Sequence, residues 1–151
     1  MSPFNSILVP TDFSAASRHA LEIGLELASK FDARLTLAHF WEVPPYPYWG
    51  VIGEWDLVTP VGEAAEKQLA SALTQAQQRL PRATSICRMG SPWQEILHVI
   101  HETQADLVVM GTHGRRGLSH ALLGSVAEKV VRTSPVPVLT VQAREGEGSE
   151  R

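Results

Sequence analysis

The chain contains one cysteine, Cys87, among its 151 residues, so no intramolecular disulfide can brace it. Its stability has to come from a packed core, and an intracellular setting is the expectation. A basic excess is also missing: 13 Lys and Arg stand against 16 Asp and Glu, a net charge of −3. That balance argues against a nucleic-acid partner, which calls for a basic face. No apolar stretch approaches the roughly 20 residues of a spanning helix, so no membrane span is expected. The start, MSPFNSILVPTDFS, has no basic segment followed by an apolar run. It does not read as a secretory leader, and a cytoplasmic location is expected. Two phosphate-binding signatures are absent as well. There is no G-x-x-x-x-G-K-[ST], and the first strand runs into Pro10-Thr11-Asp12 where a dinucleotide fold carries its glycines.

What is present is a strong hydrophobic pattern. Hydrophobic residues make up 44% of the chain and charged residues 19%, enough to bury a core and too apolar for wholesale disorder. Five strand signals occur: Ser6 to Pro10, Arg34 to Phe40, Thr84 to Met89, Ala105 to Gly111 and Val136 to Val141. Continuous apolar runs suit strands covered on both faces of a mostly parallel sheet. Cys87 falls in the weakest of the five and reads as a small buried apolar residue rather than a reactive thiol.

The four intervening segments have a helical period. The first carries Ala16, Ala20, Ile23, Leu27 and Phe31 on one stripe, with Ser14 as N-cap. The second carries Ala65, Leu69, Ala72, Ala76 and Leu80, and Pro81 stops it. The third opens Ser91-Pro92-Trp93-Gln94, a capping serine, a first-position proline and a glutamine at the box position. Its apolar face is Trp93, Ile96, Leu97 and Ile100. The fourth carries Leu123, Val126, Ala127 and Val130, with Lys129 and Arg132 toward the end that favours positive charge.

This alternation predicts an α/β fold, a five-stranded, mostly parallel, doubly wound sheet with helices on both faces. One domain over residues 1–143 and a frayed polar tail over 144–151 are expected. Ligands on such sheets sit beyond the C-terminal strand ends, where strand order reverses. The segment Trp41 to Pro60 does not fit the regular units, with four prolines, two tyrosines and three tryptophans. It is too proline-rich for a helix, and it either covers an edge of the core or faces a ligand or partner.

The most apolar strand runs straight into Met110-Gly111-Thr112-His113-Gly114-Arg115-Arg116-Gly117, and Gly124-Ser125 follows at a helix start. Glycines let a backbone approach an anion closely. Amides at a helix start hold phosphate, a serine hydroxyl adds a donor, and arginines neutralise phosphate oxygens. Physics alone points to a nucleotide or another phosphate, although glycines also make ordinary turns.

At this point the residues resemble the universal stress protein family over about residues 4–142. The markers are Ile7-Leu8-Val9-Pro10-Thr11-Asp12-Phe13-Ser14, Asp106-Leu107-Val108-Val109-Met110-Gly111-Thr112-His113-Gly114, Leu122-Leu123-Gly124-Ser125-Val126 and Pro135-Val136-Pro137-Val138-Leu139. The ATP-binding branch of that family carries G-x2-G-x9-G-[ST], which Gly111, Gly114, Gly124 and Ser125 satisfy without a gap. The resemblance implies a Rossmann-like sheet of the adenine nucleotide α hydrolase-like kind and ATP as ligand. It assigns Asp12 to the adenosine part, with Pro10 and Thr11 in the same pocket. Phe40 takes the place near adenine where the family often has a smaller aliphatic residue. Gly111, Gly114, Gly124, Ser125 and Val126 are assigned to ribose and phosphates, and Met110, His113 and Arg115 flank them. Any Mg²⁺ is expected to arrive with the ATP phosphates. The family's habit of pairing through its last strand implies a homodimer through Val136 to Val141.

Other readings stay open. Asp12 also suits a helix cap, and His113 suits a turn. His98 and His101 stand three apart on one helix, but no further ligand accompanies them and solvated histidines are expected. His39 reads as a satisfied core histidine. No nucleophile stands beside a general base, so no efficient catalysis is expected. An ATP-using enzyme of the related hydrolase and ligase group would carry a serine- and glycine-rich loop after the first strand, where this chain has Thr11-Asp12-Phe13-Ser14. An interaction module without nucleotide is the third class, and the intact glycine pattern argues against it.

Overall fold

The computed structural model describes residues 2–43, 58–113 and 123–144. The described elements run β1 (Ser6–Pro10), α1 (Ala15–Phe31), β2 (Arg34–Trp41), α2 (Val58–Arg79), β3 (Thr84–Met89), α3 (Pro92–Thr103), β4 (Leu107–Gly111), α4 (Ser125–Thr133) and β5 (Val138–Val141). The five strands form one sheet in the order β3-β2-β1-β4-β5, and every pair is parallel. The sheet is the expected doubly wound α/β architecture. The chain winds outward from β1 to β3, then returns to place β4 on the other side of β1. Strand order therefore reverses at β1 and β4, and a crevice opens at their C-terminal ends.

Alternation along the strands sorts the core into two halves. Ile7, Val9, Leu35, Leu37, Leu107 and Val109 face α1 and α2. Leu8, Ala38, Phe40, Val108 and Met110 face α3 and α4. Every residue of β1 is buried, as its position in the middle of the sheet requires. Burying each large aliphatic side chain contributes about 1.5–3 kcal/mol. The strand starts are tied by a carboxylate: Asp106, just before β4, accepts from the amides of Asn5 (2.8 Å) and Ser6 (3.1 Å).

The helical stripes are narrower than their apolar residues suggest. In α1 the buried residues are Ala16, Ser17, Ala20, Gly24, Leu25 and Ala28, while Ile23, Leu27 and Phe31 pack half-buried alongside. Small residues face the sheet because the helix lies close to it. A Cβ on Gly24 would stand 2.7 Å from Val9 Cγ2. In α3 the buried residues are Ile96, Val99 and Ile100, and Trp93 and Leu97 are only half covered. Ser14 caps α1 as expected, accepting from the Ser17 amide. Ser91 takes the N-cap position of α3, but its side chain makes no capping bond.

Other boundaries also move. α2 begins at Val58, before Pro60, so the last residues of the proline-rich segment are helical. Pro60 is tolerated there because first-turn N–H groups have no intrahelical partner. Trp41 is the last residue of β2 and covers Gly62, where a Cβ would lie 2.8 Å from its ring. Residues 44–57, the rest of that segment, and 145–151, most of the expected tail, lie outside the described residues. β4 starts at Leu107, although the Asp106 amide already donates to the Ser6 carbonyl at 2.9 Å. β5 starts at Val138, although the Pro137 carbonyl already accepts from the Val108 amide at 3.0 Å.

Cys87 is half-buried rather than buried, because β3 is an edge strand. Burial pushes its thiol up, the Glu66 carboxylate adds to this, and a hydrogen bond from Trp41 opposes it. That makes it a poor nucleophile at neutral pH. Among the described residues no helix is long and apolar enough to cross a membrane.

The close seating of α1 gives a test. Gly24→Leu drives a side chain into Val9 and should destabilise the protein by about 1–3 kcal/mol, read from urea unfolding.

Candidate functional site

The turn from β1 into α1 forms one wall of the crevice. The Thr11 amide bonds the Ala38 carbonyl at 2.8 Å, and the Thr11 carbonyl lies 2.8 Å from His39 Nδ1. His39 is thus the satisfied histidine its position suggests, with the Phe13 ring against it at 4.5 Å. Phe13 itself has φ 65°, a left-handed conformation that a bulky residue adopts only when its surroundings force it. The forcing groups are local. The Phe13 amide donates to Thr11 Oγ1 at 3.0 Å, and the Ser14 amide donates to Asp12 Oδ1 at 3.0 Å. Asp12 therefore does brace the opening of α1, and it also lines the crevice.

The end of β4 forms the floor. Met110 is buried, and the Thr112 amide donates to the Val141 carbonyl at 2.8 Å. The Gly124 amide donates to the Thr112 carbonyl at 2.6 Å, which brings the start of α4 back to the strand end. The sequence suggested that Gly111 is a glycine to admit an anion. The structure gives a different reason: its missing Cβ would stand 2.9 Å from both Ala16 Cβ and the Ser17 amide nitrogen. The space belongs to α1, and no side chain fits there.

α4 opens on the crevice without a capping side chain. Its N-cap is Gly124, extended at φ −63° and ψ 162°, which supplies no oxygen to the first-turn amides. Close by, His113 Nδ1 lies 3.0 Å from Thr112 Oγ1, and His113 Nε2 is buried with no hydrogen-bond partner among the described residues. An uncapped helix start and an orphaned ring nitrogen are the polar features that an anionic group would satisfy.

These walls enclose a cleft of about 460 Å³. Pro10, Thr11, Asp12, Phe40, Met110, Gly111, His113, Gly124, Ser125 and Val126, all singled out from the sequence, line it together. Gly114 and Arg115 lie outside the described residues. Five lining residues were not anticipated: Ser17, Pro92, Ile96, Thr112 and Ala127. Pro92 and Ile96 were visible as a helix start and its stripe, but nothing in the sequence says that α3 faces the crevice. Ser17 is a polar residue inside a helix, and its burial follows from the closeness of α1 to Gly111. Phe40, Pro10, Ile96 and Met110 make an apolar wall, with the polar groups gathered toward α1 and α4.

A second, more open cavity of about 520 Å³ lies on the α2 side, lined by Asp12, His39, Trp41 and the first turns of α2. Among the described residues no group of three or more His, Cys, Asp or Glu is placed to hold a metal ion. His98 is exposed and pairs loosely with Glu95 at 3.5 Å.

The model of the universal stress protein family matches residues 3–142. The chain belongs to that family. It is 34% identical over 139 residues to a universal stress protein of Thermus aquaticus, covering 92% of this chain and 99% of that one. With universal stress protein MJ0531 of Methanocaldococcus jannaschii it shares 32% over 140 residues, covering 92% and 82%. Among solved structures, MJ0577 of the same archaeon superposes with a TM-score of 0.80 at 26% identity, covering 94% and 98%. Two more distant structures share the fold. One is a universal stress protein in complex with cAMP (24% identity, TM-score 0.70, covering 95% and 100%). The other is a family member from Arabidopsis thaliana with AMP bound (18%, 0.64, covering 95% and 94%).

In this universal stress protein the packing at Gly111 can be tested directly. Gly111→Val places a branched side chain against the first turn of α1. It should lower stability by about 1–3 kcal/mol in urea unfolding, whether or not any ligand is present. A variant as stable as the wild type would contradict the contact.

Proposed function

We propose that the protein binds ATP in the cleft between β1 and β4 and acts as a nucleotide-dependent regulatory protein of the stress response. The observation that carries this reading is the opening of α4 at Gly124, an N-cap with no side chain to bond the first-turn amides, at the polar end of an otherwise apolar cleft. A nucleotide matches that polarity, with a flat base for the wall and phosphates for the helix start. The G-x2-G-x9-G-S spacing of Gly111, Gly114, Gly124 and Ser125 supports it. So do the adenine nucleotides in two proteins of the same fold.

In this reading Phe40 and Pro10 pack near the base, and Asp12 and Thr11 receive the adenosine. Met110 and Gly111 form the floor, and Ser125 and Val126 offer amides to the phosphates. His113 Nε2 donates to a phosphate oxygen, and Gly114 and Arg115 complete the loop. Mg²⁺ enters with the phosphates, keeping much of its water. Binding regulates only if ATP favours one state of the protein over another. The partner state we propose is a homodimer paired through the last strand. β5 lies at an edge of the sheet, and Leu139 on it is 40% exposed. Unpaired edges with apolar side chains are templates for strand pairing.

Mass spectrometry of denatured purified protein should release ATP or a product of it, and calorimetry should detect ATP binding. Gly114→Val and Gly124→Val should each weaken it by about tenfold or more, that is 1.4 kcal/mol or more. Unchanged affinity in both variants sinks the site. Many turnovers of ATP per minute from the purified protein would move the reading to an ATP-using enzyme.

The dimer has a separate test. Leu139→Glu should halve the mass seen by light scattering, with circular dichroism confirming the fold. A wild type already monomeric at micromolar concentration would rule the dimer out.

A further inference from the structure

Ser17 is the most deeply buried polar side chain on the cleft, 4% exposed, and its hydroxyl is fully engaged. Thr11 Oγ1 donates to it at 3.1 Å and Ser14 Oγ donates to it at 3.2 Å. Its own proton has two acceptors within reach, Asp12 Oδ1 and the Ser14 carbonyl, each at 3.0 Å. A carboxylate is the stronger acceptor, so the proton goes to Asp12. Asp12 Oδ1 then receives two donors, the Ser14 amide and the Ser17 hydroxyl. The Ser14 amide holds Oδ1 from the backbone of the turn and the Ser17 hydroxyl holds it from inside α1, so both resist rotation of the carboxylate and help set where its second oxygen lies.

We infer that Ser17 is a positioning residue for the nucleotide, acting through the Asp12 carboxylate and setting which ligands the cleft prefers. This rests on the nucleotide reading above. An ionised carboxylate only accepts hydrogen bonds. A fixed one therefore selects ligands that present a donor at one place, either a sugar hydroxyl or an exocyclic amine. ATP has both donors, 2′-deoxyATP lacks a hydroxyl, and ITP has an acceptor in place of the amine. Without the Ser17 hydroxyl the carboxylate loses its tie to α1 and is set less firmly, and the preference weakens. Ser17 sits where this control is rigid, because its amide is bonded to Ser14 Oγ at 3.3 Å and packs against Gly111.

The test is calorimetric titration of ATP, 2′-deoxyATP and ITP into wild type, Ser17→Ala, Asp12→Asn and the double variant. Wild type should prefer ATP over at least one analogue. Ser17→Ala should weaken ATP by about 3- to 10-fold and reduce that preference by a similar factor, the size of one hydrogen bond to a charged group. In the Asp12→Asn background the same substitution should cost nothing further. Thermal melting without nucleotide checks that each variant is folded. If Ser17→Ala fails to fold, Ser17→Cys keeps the shape with a much weaker donor and should give the same pattern. Equal losses for ATP and both analogues, repeated in the Asp12→Asn background, would mean that Ser17 acts only in packing and would overturn the inference. So would a wild type that binds ATP but does not discriminate, or a Ser17→Ala that binds like wild type. A wild type that binds no nucleotide overturns the nucleotide reading itself, and this inference falls with it.

Discussion

Helix α1 meets the two central strands mostly through residues that have almost no side chain. Ala16, Ser17, Ala20, Gly24 and Ala28 are buried there with one larger residue, Leu25, and the glycines on both sides of the contact have no room for a Cβ. Gly24 yields to Val9 of β1, and Gly111 at the end of β4 yields to the first turn of α1. With α1 this close, its opening turn lies directly over the C-terminal ends of β1 and β4. The turn that precedes it must then be tight. That tightness explains why Phe13 accepts a left-handed backbone and why Thr11, Asp12, Ser14 and Ser17 are bonded to one another. The cleft is what remains between this turn and the helices on the other face.

The same closeness separates two roles that the glycine pattern runs together. Gly111 is required by packing against a helix, and Gly124 stands where a capping side chain would otherwise occupy the amides of α4. Both glycines line the cleft, yet only the second leaves polar groups open to it. A glycine motif is thus a joint record of fold and ligand. Substitution of Gly111 acts first on stability, whereas substitution of Gly124 acts first on the start of α4 that lines the cleft.

Much of this was legible in the sequence because it follows from one-dimensional pattern. Continuous apolar runs such as Leu107 to Met110 gave the buried strands, and the order of elements pointed to the C-terminal strand ends, while the reversal between β1 and β4 is seen only in the structure. Ten of the residues chosen for the site come together there. What was not legible depends on distances between elements. Ser17 is polar and lies in a helix, and only the approach of α1 to Gly111 buries it. Ile23 and Leu27 are large apolar residues of α1, yet they sit at its flank, while Leu25 and small residues fill the face beneath. Ser91 occupies the cap position without capping, since position along the chain does not aim a side chain. The start of α2 at Val58 was hidden because a proline at a first turn looks the same in sequence as a proline in a loop.

The connection between cleft and sheet edge is short. Thr112 lines the cleft, donates its amide to Val141 of β5, and accepts the Gly124 amide at the start of α4. One residue therefore joins the floor of the cleft, the start of α4 and the edge strand β5. Such contiguity is not coupling by itself; coupling needs an element with two arrangements that the ligand tells apart. α4 is the element best placed to be that one. Its contact with the sheet is confined to few buried residues, Ala127 and Val130, and its first turn is held to β4 by the Gly124 bond. In the proposed complex, phosphates at the first-turn amides of α4 are linked to β5 through the Gly124–Thr112 and Thr112–Val141 bonds. If the dimer forms through β5, the ligand and the partner strand act on opposite ends of the same hydrogen-bonded chain. Linkage then requires that each alter the affinity for the other by the same factor.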